Sequence, residues 1–145
     1  MKIEFNRATM HDVEGIISLC NECFSERTDT GYARRVFAET KSDPNQIYVN
    51  GVLDGVIIAH AKVTVIPTMY EEMGTYAIIN HFCVKEEYRR KHIATDLLNA
   101  VVDICKGMGC KRMCLWSKNF RVGAHAFYKK YGFELLEAGF FQKDL

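Results

Sequence analysis

Residues 76–117 constrain the fold more tightly than any other stretch. They read in turn as an apolar strand (76–84), a short cationic loop, an amphipathic helix (92–106), a glycine stop and a second, shorter strand (111–117). In the helical part Ile93, Leu97, Leu98, Val101, Val102 and Cys105 fall on one face. Gly107-Met108-Gly109 then ends the helix. A strand, a helix and a strand joined this closely form a crossover unit of a sheet. The loop between the first two elements is itself informative, because Arg89, Arg90 and Lys91 stand where free backbone N–H groups at a helix start already attract anions. It reads as a seat for a phosphorylated cofactor, with a solvated basic patch as the plainer alternative.

The first half is rich in hairpins. Residues 3–7 form a strand, and Thr9 with Asp12 makes a variant capping box ahead of a helix whose buried stripe is Val13, Ile16, Ile17, Cys20 and Phe24. A shorter helix over 32–40 ends in the turn-like stretch 41–45. Strands over 46–53 and 56–66 follow, joined by Asp54-Gly55, a pair that accepts the positive φ of a tight turn. After the loop 67–75 and the crossover unit comes a last helix over 121–131, with Ala124, Phe127, Tyr128 and Tyr131 on one face and Gly132 at its end. A final strand or two is expected over 133–141. The order β-α-α-β-β-β-α-β-α-β defines an α/β (α+β) fold: a mixed, mostly antiparallel sheet flanked by helices on both faces, in one domain over 1–145.

The balance of 19 Lys+Arg against 18 Asp+Glu, net +1, gives no global attraction to nucleic acid or an anionic membrane, so an anion site must be local. There is no apolar leader run and no stretch of eighteen apolar residues, and a cytoplasmic protein is expected. The six cysteines read as reduced core residues. Cys20 and Cys23 have CxxC spacing inside a helical pattern, but no second close pair accompanies them, and no metal site is expected. Strand edges and the tail Gly139-Phe140-Phe141 permit a homodimer without requiring one.

Two local signatures carry a family resemblance. Arg89-Arg90-Lys91-His92-Ile93-Ala94 resembles the Arg/Gln-x-x-Gly-x-Gly/Ala loop of GNAT-type N-acetyltransferases, with His92 in place of the first glycine. Ala124 to Phe133 is similar to the A-x-x-F-Y-x-x-x-G-F segment of the same family, and the order of elements agrees over essentially the whole chain. The resemblance implies acetyl-CoA as acyl donor. Its pantetheine arm would lie along Phe82, Cys83 and Val84, with its pyrophosphate on the backbone of Arg89, Arg90, Lys91, His92, Ile93, Ala94 and Thr95. It also implies Tyr128 as the acid that protonates the departing thiolate, and a strand-four N–H near Cys83 as oxyanion donor. Because His92 carries a Cβ, the seat is expected to require ordinary helical torsions at that position.

The general base is less direct. Many relatives place a glutamate where this chain has Asn80, which cannot accept a proton and would at most order a water. His81 is adjacent and is of a residue type that can accept a proton, yet strict alternation aims it at the opposite face unless a bulge intervenes. His60 is a second candidate; His11 and His125 carry less signal. Each histidine, like Tyr128, could equally be a packed structural residue. Glu26, Asp29, Glu71 and Glu72 give the loops over 24–32 and 67–74 an acidic character suited to a cationic amine. The leading expectation is direct acetyl transfer to a small primary amine. The alternatives are a protein-modifying acetyltransferase, or an inactive acyl-CoA-binding module suggested by His92 and Asn80.

Overall fold

The computed structural model describes residues 1–145. Its sheet has five strands in the order β1 (Glu4–Arg7), β2 (Gln46–Leu53), β3 (Val56–Ile66), β4 (Tyr76–Val84) and β5 (Arg112–Leu115). The first four are antiparallel, whereas β5 joins β4 in parallel over only four pairs, from Tyr76↔Arg112 to Ile79↔Leu115. Asp54 and Gly55 close the β2–β3 hairpin with φ of 49° and 78°, the left-handed torsions that this pair was expected to accept.

Helices α1 (Val13–Phe24) and α2 (Thr30–Thr40) cover one face, and α3 (Ile93–Gly107) covers the other. The alternation of β3 makes this possible: Ala59, Ala61, Val63 and Val65 pack with Leu97, Leu98 and Val101 of α3, while His60 and Lys62 point towards α1 and α2. The capping box forms as expected, the Thr9 N–H donating to Asp12 Oδ2 at 2.8 Å. The second helix begins two residues earlier than its apolar pattern suggests, because Asp29 caps it by accepting from the Tyr32 N–H at 2.9 Å. The last helix, α4 (Val122–Tyr131), reaches back to the first: the Arg121 guanidinium lies 5.2 Å from the Phe24 ring centroid. No helix is long and apolar enough to cross a membrane.

One expectation fails. Residues 133–141 form no strand, and β5 is left as a bare edge. Phe133 does turn inward, packing on Tyr128 and Tyr131, but Leu135, Leu136, Phe140 and Phe141 are exposed. The stretch Glu134-Leu135-Leu136-Glu137-Ala138-Gly139 contains no β-branched residue, and four-residue β5 offers a short template for pairing.

The α3 contact supplies most of the core. Leu97 and Leu98 are fully buried at its centre. Leu97→Ala should lower unfolding free energy by about 2–5 kcal/mol, measured as a shift of the urea midpoint at constant slope.

Candidate active site

Beyond Ile79 strand β4 has no neighbour on the β5 side, so its edge over 80–84 is open. Which groups face that edge follows from one hydrogen bond. The Lys85 N–H donates to Ile58 O at 2.7 Å, so 81, 83 and 85 turn their backbone groups towards β3, and 82 and 84 turn theirs outward. The open edge therefore presents the N–H groups of Phe82 and Val84; that of Cys83, the expected oxyanion donor, faces His60 across the ladder. The Val84 carbonyl is already engaged, accepting from Arg89 Nε at 3.0 Å and from the Cys23 thiol at 3.7 Å.

A 3-10 turn over Glu86–Tyr88 leads from this edge to α3. Arg90 and His92 both take left-handed torsions, φ 61° and 62°, and Ile93 begins the helix. His92 thus departs from the helical torsions expected of it and adopts the conformation that a glycine would take. Such a backbone costs a non-glycine residue about 1–2 kcal/mol, although histidine is among the side chains that tolerate it best. The His92 carbonyl accepts from the Asp96 N–H at 3.1 Å, opening the helix, and the N–H groups of Ile93, Ala94 and Thr95 have no acceptor within it. Of the three loop cations, Arg89 is turned to Val84, while Arg90 and Lys91 stay exposed, Lys91 beside the Tyr88 ring.

The bulge on which the orientation of His81 depends is present. Lys62 pairs with His81 and Val63 with Ile79, leaving Asn80 as the extra residue. Both Asn80 and His81 consequently lie on the α1–α2 side. Asn80 Oδ1 accepts from Thr64 Oγ1 at 2.7 Å and from Lys62 Nζ at 3.2 Å. His81 Nε2 stands 3.2 Å from Glu26 Oε1, with its ring edge-on to Phe24 at 5.3 Å. Glu26 is placed by the turn after α1, where the Asn21 side chain donates to Thr28 O and accepts from Thr28 N–H.

A cavity of ≈ 230 Å³ lies under α1 and α2 and reaches β4 at His81. Its floor is apolar; its polar lining includes Glu26, Tyr48, His60, Lys62 and His81. Of the four carboxylates expected to face the acceptor, only Glu26 lines the cavity. Asp29 is occupied as a cap, and the carbonyls of Glu71 and Glu72 accept from Lys111 and Arg112. Lys62, which sequence reasoning missed, contributes a half-buried ammonium whose pKa burial pushes down to about 8. Its signal was a lysine amid the apolar run of β3.

His60 is not a free base. It is 3% exposed, its Nδ1 is 2.8 Å from Asn50 Oδ1, and burial, with His81 adding to it, pushes its pKa down to about 3. On the other side of the open edge, Tyr128 packs against Phe82, Phe127 and Phe133. Burial, reinforced by Cys83, pushes its pKa up to about 12. No group of three His, Cys, Asp or Glu side chains is arranged to hold a metal ion.

A family model described as the acetyltransferase (GNAT) family matches residues 13–133, which include the cavity, the open edge and α4. The chain belongs to the GNAT acetyltransferase family. No curated protein matches it. Among solved structures, a transcriptional regulator from Bacillus halodurans C-125 is similar to this chain with a TM-score of 0.90 at 21% identity, over 99% of this chain and 100% of the other. Glucosamine-6-phosphate N-acetyltransferase from Arabidopsis thaliana follows with 0.84 at 20% identity, over 99% of each chain. The aminoglycoside N-acetyltransferase AAC(6')-Iy in complex with CoA gives 0.86 at 15% identity, over 99% of this chain and 95% of the other. These likenesses show a shared GNAT fold.

Two consequences are measurable. His92→Val should destabilise this GNAT protein by about 1–3 kcal/mol, because a β-branched residue fits the left-handed region poorly, whereas His92→Gly should leave denaturant stability equal or higher. His60 stays neutral in the folded state down to about pH 3, but in the unfolded chain it binds a proton below about 6.5. Stability from this group is therefore complete above that value and declines as pH falls through the window. Between pH 7 and pH 5 the loss should be about 2 kcal/mol, read by denaturation at the two pH values and absent in His60→Gln.

Proposed function

We propose that the protein transfers an acetyl group from acetyl-CoA directly to a small primary amine at the open edge of β4. The observation that carries this reading is the placement of that edge, with Tyr128 beside Phe82, the His81–Glu26 pair on the α1–α2 side, and a left-handed loop opening α3 beyond it. The residues fit the donor. Phe82 and Val84 can bond an extended pantetheine arm as an added strand would. The N–H groups of Ile93, Ala94 and Thr95, with Arg90 and Lys91, suit a pyrophosphate. His92 does not meet the helical torsion expected of a donor seat; it takes the left-handed one open to glycine, with its ring as added bulk at the seat.

The proton transfers follow from the side chains. A carboxylate can accept only from a protonated Nε2, so Glu26 holds His81 in the tautomer whose Nδ1 has a free lone pair. His81 takes a proton from the acceptor ammonium, and the neutral amine attacks the thioester carbonyl. An outward N–H of Phe82 or Val84 faces the developing oxyanion. When the carbon–sulfur bond breaks, Tyr128 gives its proton to the thiolate, its raised pKa keeping that proton in place until then; the nitrogen's second proton restores Tyr128 as the amide forms, and His81 returns its proton to solvent. Asn80, engaged with Lys62 and Thr64, orders the strand and takes no proton.

A cavity of ≈ 230 Å³ supports a small acceptor rather than a protein segment. Its apolar floor, with one ammonium, Lys62, and one carboxylate, Glu26, in the lining, favours a singly charged amine with an apolar body over a polycation. The glucosamine-6-phosphate and aminoglycoside enzymes of the same fold make amine acetylation the natural assay.

Calorimetry with acetyl-CoA tests the donor; absence of binding at millimolar concentration would refute the reading. Tyr128→Phe should lower kcat about 100-fold while leaving the acetyl-CoA Kd unchanged. Equal kcat in the two proteins would remove Tyr128 from the chemistry.

A further inference from the structure

Lys62 is the single cation lining the acceptor cavity, and it forms no ion pair. It enters from β3, directly across the ladder from His81 on β4. Its Nζ donates to Thr64 Oγ1 at 2.7 Å and to Asn80 Oδ1 at 3.2 Å, and lies 5.2 Å from the centroid of the Tyr48 ring. These partners are all neutral. The ion pairs of the chain join Arg34 to Glu14, His81 to Glu26 and Lys85 to Glu87. Asp43, whose charge reaches Lys62, is exposed and does not line the cavity. We propose that the acceptor is an amino acid with an apolar side chain, its carboxylate seated on Lys62 and its amine presented to His81. This names the substrate class of the proposed acetyl transfer and rests on that reading.

The charges of the cavity call for a zwitterion. At neutral pH its lining carries one positive charge, on Lys62, and one negative, on Glu26. His60 is held neutral by burial, the Tyr48 hydroxyl is engaged with Thr40 Oγ1 at 2.8 Å, and His81 is neutral when it acts as base. An amine entering as its ammonium form brings a second cation and displaces water from the first. Glu26 would then stand alone against two positive charges over an apolar floor. A carboxylate on the same molecule makes two charges of each sign and gives Nζ a charge-assisted hydrogen bond. Burial already pushes the Lys62 pKa down to about 8, and a bound carboxylate relieves that penalty.

Lys62 also sets the kind of anion. An ammonium has three donors, and two are occupied by Thr64 and Asn80, so one is free for a ligand. No arginine and no second lysine lines the cavity. That is enough for a carboxylate and too little for a phosphate dianion, whose oxygens call for several donors. Val13, Ile16, Ile17, Val36 and Phe37 give an apolar wall beside the two polar anchors, which suits an apolar side chain. Lys62 and His81 are one cross-strand pair, so the anchors rise from neighbouring positions of the sheet, as suits an amine and a carboxylate a few bonds apart.

The test compares acceptors that differ only in the anionic group: leucine against leucinamide, and phenylalanine against phenylalaninamide. The amides have the less basic amines, so basicity cannot produce a preference for the acids. Calorimetry at pH 7 gives their Kd with the full chain and with Lys62→Met, and thiol release from acetyl-CoA gives kcat and KM. Each acid should bind about tenfold more tightly than its amide, the worth of a hydrogen bond to a charged group, with the difference carried in KM and lost in Lys62→Met. The comparison within the unmutated chain stands even where that variant misfolds. Equal affinity for acid and amide, no binding of either acid at millimolar concentration, or a preference that survives in Lys62→Met would overturn the carboxylate seat. Acetyl-CoA that fails to bind while the acids bind as expected would instead refute the acetyl-transfer reading and leave the seat standing.

Discussion

A strand with a neighbour on both sides has no backbone donor to offer a ligand; a strand that loses one neighbour midway does. β4 is paired on both sides only as far as Ile79 and on one side from Asn80 onward. The arrangement persists because the exposed half is still held by β3 and by side chains packed on each face, Phe82 towards α4 and Cys83 towards α1. An edge of this kind is ordinarily an aggregation hazard. Here α1, α4 and Arg89 of the loop leading to α3 all touch that half of the strand.

The bulge at Asn80 does a second job that regular pairing could not. Without the extra residue, Asn80 and His81 would stand on opposite faces, and the imidazole would not reach Glu26. With it, polar side chains from β3 and β4 collect on the α1–α2 side while Val63 and Ile79 stay in the core under α3. His60 and Asn50 complete this polar layer and satisfy each other in its most buried part. One inserted residue thus lets the sheet be apolar beneath one helix layer and polar beneath the other.

Most of the architecture was legible in the sequence, because each element announces itself locally: the Asp54-Gly55 turn, the Thr9–Asp12 box, the 93–105 stripe and the Gly107 stop all concern neighbours in the chain. What escaped depends on partners distant in sequence. The tail 133–141 needed a pairing strand that four-residue β5 does not provide. Lys62 and the link from Glu26 to His81 emerge only once β3, β4 and the end of α1 are brought together. His60 was a plausible base by residue type and is disqualified by burial, which no single-sequence pattern reports.

His92 bears on how such loops are recognised at all. The path from the 3-10 turn into α3 requires a left-handed backbone at two positions, and this chain supplies it with an arginine and a histidine. What the loop takes here is a pair of left-handed torsions between the elements on either side, and glycine is merely the residue that adopts such torsions at least expense. In letters the loop departs from the family's spelling at His92, whereas its backbone course, two left-handed residues between a strand end and a helix start, is one that the spelling alone does not describe.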